Sequence, residues 1–171
     1  MPAEQLAVRH PTASDHPRLQ RALAGWWGDL GGEAGRLERS LLLPRLFLQH
    51  FAGTSFIAEQ PDGSIAAFLI GFRSQSQPDV AYIHFVAVAP ELRRLKLATR
   101  LYERFAREQH EAGARLVRSC TSPSNTTSQA FHRGMGFTLD PSETIVGGVP
   151  VQRDYDGPGL DRVTFTLLLD L

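Results

Sequence analysis

The segment "VAVAPELRRLKLATRLYERF" (Val86–Phe105) sets a strand-like run, a proline and three basic residues directly ahead of a long amphipathic helix. The first turn of a helix carries backbone N–H groups without intrahelical acceptors, and the positive end of the helix dipole lies at the same place. A strand that turns sharply into a helix therefore makes an anion site. Here the amides of Arg94, Leu95, Lys96, Leu97 and Ala98 converge, and the side chains of Arg93, Arg94 and Lys96 add positive charge. The pattern reads as a cradle for a diphosphate, although basic residues also occur at ordinary helix starts. The phosphate-loop pattern of nucleotide kinases is absent. A second cluster, "QRDYDGPGLDR", gathers Asp154, Asp156 and Asp161 around Tyr155. Its carboxylates suit a cationic amine, and its glycines and proline equally suit any turn.

The periodicities supply a scaffold for these residues. "LAVRHP" alternates and stops at a proline, as a short first strand does. "TASDHPRLQRALAGWW" reads as a helix with Ser14 or Asp15 as N-cap and with Leu19, Leu23 and Trp26 or Trp27 at helical spacing. "GDLGGEAG" breaks it, and "RLERSLLLPRLFLQHF" resumes a helical pattern that Pro44 kinks or divides. "SFIAEQ", "PDGS" and "IAAFLIGFRS" predict an antiparallel hairpin, because Asp-Gly supplies the positive φ of such turns. "VAYIHFVAVA" is apolar on both faces and hence a central strand. From Arg93 to His110, Leu97, Leu101, Phe105 and Ala106 mark a helix of roughly four to five turns.

"EAGARLVRSCTS" is then a helix exit and strand, and "NTTSQAFHRGM" a short helix capped by Asn125 or Thr126 and closed by glycine. "ETIVGGVPV" holds a Gly-Gly turn, and "RVTFTLLL" is the closing strand. The order describes a mixed α/β domain with a mostly antiparallel sheet, and with parallel pairing between the Val80 strand and the Arg115 strand. At 171 residues and 42% hydrophobic composition, one domain over residues 1–171 is expected.

Two of these segments carry a resemblance. "V-A-V-A-P-E-L-R-R-L-K-L-A" is similar to the acyl-CoA signature of the GNAT superfamily of N-acetyltransferases, V-x-P followed by R/Q-x-x-G-x-G/A. Arg93 takes the R/Q position, Ala98 the final small position, and Val88 with Pro90 the strand exit. "NTTSQAFHRGMGF" is similar to the family's later N-x-x-S/A-x-x-F/L-Y/H-x-x-x-G-F segment, with Asn125, Ser128, His132 and Gly136-Phe137 in register. The resemblance implies the GNAT fold: a mixed, mostly antiparallel twisted sheet with flanking helices and a central, splayed parallel strand pair.

It further implies acetyl-CoA as co-substrate, with no metal. The pantetheine arm is expected along Val86, Ala87 and Val88, and the pyrophosphate on Arg93, Arg94, Leu95, Lys96, Leu97, Ala98 and Thr99. Asn125 and Ser128 are expected at the pantetheine. Lys96 departs from the pattern, since the family usually has glycine there, where a side chain crowds the pyrophosphate. Its ammonium either meets the phosphates or obstructs the cradle.

Acetyl transfer to an amine needs a neutral nitrogen held about 3 Å from the thioester carbon, a donor for the oxyanion and an acid for the thiolate. By resemblance, His132 occupies the position where the family often has a tyrosine acid, and the Val86 N–H is the oxyanion donor. Tyr82 and His84, which alternate with Val86 and Val88 onto one face of the central strand, are the candidates for the base. Trp27 (or Trp26), Asp154, Tyr155 and Asp156 are candidates for the acceptor pocket. Cys120 is expected in the core, since the family transfers the acetyl group directly.

Lys plus Arg and Asp plus Glu number 18 each, so no global field draws in nucleic acid or an anionic membrane. No stretch approaches the ~18 apolar residues of a membrane span, and the N-terminus has no apolar signal core. The expected setting is cytoplasmic, and the expected partner a small-molecule or peptide amine acceptor. The apolar "VTFTLLL" suits either a homodimer, common in the family, or burial in its own sheet. Lys96 and the missing tyrosine and glutamate support an alternative, a CoA-binding or sensory domain of this fold without turnover.

Overall fold

A computed structural model describes residues 6–26 and 32–170. In chain order the elements are β1 (Ala7–Arg9), α1 (His16–Trp26), α2 (Gly32–Leu41), α3 (Leu46–His50), β2 (Phe56–Glu59), β3 (Ile65–Arg73), β4 (Val80–Val88), α4 (Leu97–Glu111), β5 (Leu116–Thr121), α5 (Thr126–Gly134), β6 (Thr138–Leu139), β7 (Ile145–Val146), β8 (Val149–Pro150) and β9 (Val163–Leu168). Seven strands form one sheet in the order β1-β2-β3-β4-β5-β9-β6, and β7 with β8 makes a separate hairpin. β4 and β5 pair in parallel. β1–β2, β2–β3, β5–β9 and β6–β9 are antiparallel. This is the mixed, mostly antiparallel sheet expected from the sequence.

The chain forms two compact units, one comprising residues through Phe72 together with Ile83–Glu108, the other Arg73–Tyr82 together with the residues from Gln109 on. In the first, the apolar stripe of α1 buries Leu19 and Leu23 with Leu43, Leu48, Ile57, Phe68 and Ile70. Trp26 stacks on Phe68 with ring centroids 5.9 Å apart. As expected, Pro44 lies between α2 and α3, where its missing N–H leaves no ladder bond to break.

The start of α1 differs from expectation. Thr12 is the cap of a short 3-10 turn over Ala13–Asp15 that leads into the helix. The Asp15 carboxylate reaches back to the Thr12 N–H at 2.8 Å. Asp15 is also the centre of a ring of charges that local sequence does not reveal. Arg9 donates to both its oxygens at 2.8 Å and to Glu59 at 2.8 and 2.9 Å. Arg18 donates to Asp15 and to Glu59, each at 2.7 Å. The ring ties β1, α1 and β2 together, and its anion Asp15 is only 4% exposed.

In the second unit β5 pairs with β9 along its full length. Val117, Val151, Val163, Phe165 and Phe137 are buried there. Asn125 caps α5 as expected, its Oδ1 accepting the Ser128 N–H at 3.0 Å. Gly136 follows α5 with φ +86°, a left-handed conformation that glycine takes at no steric cost. The two residues of β6 are too few to show an alternating pattern, and they become a strand only by pairing with β9.

Candidate active site

The strand-to-helix corner is built by a chain of tight turns in the first unit. The Ala89 N–H donates to the Ala66 carbonyl at 2.9 Å, and Pro90–Leu92 forms a 3-10 turn. The N–H groups of Leu92 and Arg93 are taken by Ala89 O and Pro90 O, at 2.9 and 3.3 Å. That of Leu95 is taken by Leu92 O at 3.4 Å. α4 then opens with Arg100 N–H to Lys96 O at 3.0 Å. Among the described residues the amides of Arg94, Lys96, Leu97, Ala98 and Thr99 donate to no protein acceptor. Of the five amides predicted to converge, Leu95 is spent inside the turn, and Thr99 is free alongside the other four. The side chains of Arg93, Arg94 and Lys96 are exposed, whereas Leu97 is buried and anchors the helix.

The helix begins at Leu97 rather than at Arg93, because Arg94 and Lys96 adopt φ +75° and +56°. Neither value belongs to a right-handed helix. The position that the family usually fills with glycine is thus a left-handed residue in this chain. Backbone conformation alone favours glycine there, before any crowding of a ligand is considered. A Lys96→Gly variant is therefore expected to gain about 1 kcal/mol of stability and roughly 2 to 4 °C in Tm. A fall in Tm in differential scanning calorimetry would contradict the left-handed assignment.

Just before the corner, β4 is irregular. Ser74 N–H bonds Val80 O at 2.8 Å and Ala89 N–H bonds Ala66 O at 2.9 Å. The span from Val80 to Ala89 is one residue longer than the facing span from Ala66 to Ser74. Between these two bonds the pairing therefore shifts by one residue. The parallel register with β5 covers only Val80, Ala81 and Tyr82. The Val86–Val88 backbone is thus outside that register, with Ala87 buried and Val86 and Val88 half-buried.

His84, also in the first unit, stacks on Phe47 at 4.3 Å, and its Nε2 lies 2.6 Å from the Leu42 carbonyl. A carbonyl only accepts, so Nε2 carries the proton and Nδ1 is the basic nitrogen. Trp27 lies outside the described residues.

The other candidates belong to the second unit. Tyr82 donates its O–H to Cys120 Sγ at 3.2 Å. Burial, reinforced by the adjacent Cys120, pushes the phenol far above its ordinary pKa, and burial also raises that of the Cys120 thiol. Tyr82 therefore keeps its proton, as a hydrogen-bond donor that neither takes up nor readily releases one. Cys120 is a thiol and not a thiolate, which leaves it a poor nucleophile.

His132 is 3% exposed and stacked on Phe165 at 4.4 Å. Its Nδ1–H donates to the Ser128 carbonyl at 2.8 Å, and burial lowers its pKa. A neutral ring in this state gives no proton to a thiolate without first being charged. Ser128 Oγ lies 3.3 Å from the same Nδ1.

The acidic loop is spent on itself. Asp154, at φ +51°, accepts the Gly159 N–H at 2.6 Å. Asp156 pairs with Arg162 at 2.6 Å and Asp161 with Arg153 at 3.0 Å. The carboxylates of Asp154 and Asp156 thus hold the loop in shape. Tyr155 borders a cavity of about 270 Å³ together with Tyr82, Arg118, Asp140, Gln152 and Phe165. Sequence reading passed over Arg118, Asp140 and Gln152. Arg118 was within reach, because it alternates with Cys120 along "RSC" and pairs in register with Tyr82.

Among the described residues no helix is long and apolar enough to cross a membrane, and no group of three or more His, Cys, Asp or Glu could hold a metal ion.

Solved structures share this architecture. An acetyltransferase of the GNAT family from Staphylococcus aureus matches with a TM-score of 0.70 at 13% identity, covering 96% of this chain and 99% of its own. The diaminobutyrate acetyltransferase of Paenibacillus lautus, solved with L-2,4-diaminobutyric acid and coenzyme A, matches with a TM-score of 0.65 at 22% identity, covering 94% and 93%. The fold, with its single parallel pair and strand-to-helix corner, is that of the GNAT acetyltransferases. A model of the acetyltransferase (GNAT) family matches residues 19–137, and the chain belongs to that family. It is accordingly an acyl-CoA-dependent N-acetyltransferase. The L-2,4-diaminobutyric acid acetyltransferase of Virgibacillus pantothenticus is 27% identical over 114 residues, which is 67% of this chain and 70% of that protein.

Proposed function

We propose that the protein transfers an acetyl group from acetyl-CoA to a primary amine of a small diamino acid, with L-2,4-diaminobutyrate as the first acceptor to test. The observation that carries this reading is the corner. Five backbone amides without protein acceptors and three exposed cations stand together at the start of α4. This donor set suits a diphosphate, which needs many short N–H contacts and net positive charge. Arg93, Arg94, Lys96 and the amides of Lys96 to Thr99 would hold it, and the bound thioester supplies the acetyl group. The choice of acceptor draws on the relative from Virgibacillus pantothenticus, which carries that activity in its name.

Within this reading the transfer is direct. The thiol of Cys120, the chain's one cysteine, is held protonated, so it offers no acyl-enzyme route. Of the two candidates on the central strand, Tyr82 keeps its proton, which leaves His84 as the base for the amine proton.

The test has two steps. Acetyl-CoA at ~100 times its dissociation constant is expected to add roughly 2.7 kcal/mol of stability, read as a rise in Tm. Release of free CoA thiol is then expected on addition of L-2,4-diaminobutyrate, with mass spectrometry finding one acetyl group on the product. No rise in Tm would reject the cradle. A rise in Tm without thiol release across a panel of amines would favour a CoA-binding domain without turnover.

A further inference from the structure

The cavity of about 270 Å³ in the second unit is bordered by charges of both signs that the transfer chemistry leaves unused. Its volume lies below the roughly 300–1,000 Å³ of pockets for drug-sized ligands, and it suits a molecule of amino-acid size. Arg118 donates through Nη1 to Gln77 Oε1 at 3.3 Å, while its Nε is buried without an acceptor. Among the described residues Arg118 pairs with no carboxylate. Asp156, the nearby loop carboxylate, is held by Arg162. Asp140 accepts the Thr166 hydroxyl on Oδ1 at 2.8 Å, and its Oδ2 has no partner among the described residues. Tyr82 and Tyr155 border the same space as protonated phenols, since burial raises the pKa of both.

The geometry points to this cavity as the seat of a zwitterionic amino-acid headgroup, with its carboxylate on Arg118 and its α-ammonium on Asp140. A simple anion meets repulsion from Asp140 and a simple cation meets it from Arg118, so a ligand carrying both charges is selected. Placing a carboxylate beside a guanidinium that has a buried, acceptor-less Nε supplies the missing internal anion. The inference rests on the proposed acceptor class and names the end of the acceptor that the protein recognises.

Calorimetric titration separates the two charges with three ligands: L-2,4-diaminobutyrate, 4-aminobutyrate, which lacks the α-ammonium, and 1,3-diaminopropane, which lacks the carboxylate. Arg118→Gln is expected to weaken diaminobutyrate and 4-aminobutyrate by about 10- to 100-fold and to move 1,3-diaminopropane far less. Asp140→Asn is expected to give the complementary pattern, weakening the two ligands with a second ammonium. Arg118→Lys should restore part of the loss. A Tm rise with acetyl-CoA in each variant shows an intact fold and reports separately on the proposed function. Equal affinities in parent and variants, or no diaminobutyrate binding to a parent that responds to acetyl-CoA, would overturn the headgroup site. Diaminobutyrate binding without any acetyl-CoA response would instead leave the headgroup site standing and remove the transferase reading.

Discussion

An Asp15→Ala variant is expected to unfold with about 3 kcal/mol less free energy than the parent at neutral pH, lowering Tm by roughly 6 to 12 °C. Asp15 is 4% exposed and takes hydrogen bonds from Arg9, Arg18 and the Thr12 N–H. Removing it leaves two guanidinium groups sharing Glu59 alone, and the start of the turn before α1 loses the acceptor for its free N–H. The estimate stands at the low end for a buried ion pair because Arg9 and Arg18 remain about one third exposed to screening solvent.

The same ring sets an acid limit. Arg9 holds the carboxylates of both Asp15 and Glu59 below their ordinary pKa. A depressed folded pKa contributes stability that is fully present above the unfolded values near ~4 and is lost as pH falls through the folded values. Urea midpoints are therefore expected to drop below pH ~4.5 in the parent and to drop less steeply in Asp15→Ala. A loss below about 1 kcal/mol at neutral pH, with parallel acid profiles, would mean that water already screens the ring in solution.

Removing the charge at the corner should act on binding and not on folding. The double variant Arg93→Ala/Arg94→Gly is expected to bind acetyl-CoA about 30-fold more weakly, as two exposed charge-assisted contacts of about 1 kcal/mol each would give. Its apo Tm should stay level or rise, because Arg94 stands at φ +75° and glycine removes that strain. Opposite signs for affinity and stability distinguish a lost ligand contact from a damaged fold. The affinity gap should narrow at high salt. Unchanged acetyl-CoA affinity in calorimetry would remove the two side chains from the cradle.

Much of the fold was legible because its signals are local. The Asp62-Gly63 turn, the alternation of β3, the Asn125 cap and the Gly136 exit each rest on a few adjacent residues. The start of α4 was misread because apolar periodicity says nothing of φ, and nothing in "RRLK" announces two left-handed residues. The ring of Arg9, Asp15, Arg18 and Glu59 joins residues up to fifty positions apart, and only the antiparallel register of β1 on β2 brings them together.

The backbone of the corner was legible in the sequence, and the surroundings of the candidate side chains were not. The corner amides followed from the strand-turn-helix pattern. The acidic loop advertised carboxylates that the fold spends on Gly159, Arg162 and Arg153. His132 kept its predicted place on α5 but faces Phe165 in the core, a packing fact that spacing alone does not encode.

The two left-handed basic residues at the head of α4 have a consequence for how this chain can change over generations. Non-glycine residues cost on the order of 1 to 2 kcal/mol each in that conformation. For a domain whose whole stability is about 5 to 15 kcal/mol, this is a sizeable share. Most substitutions that alter a substrate pocket destabilise, and such changes are purged when a protein falls below its folding threshold. Glycine at position 94 or 96 would release stability without altering any residue that lines the second unit's cavity, so lineages that acquire it gain room for changes there.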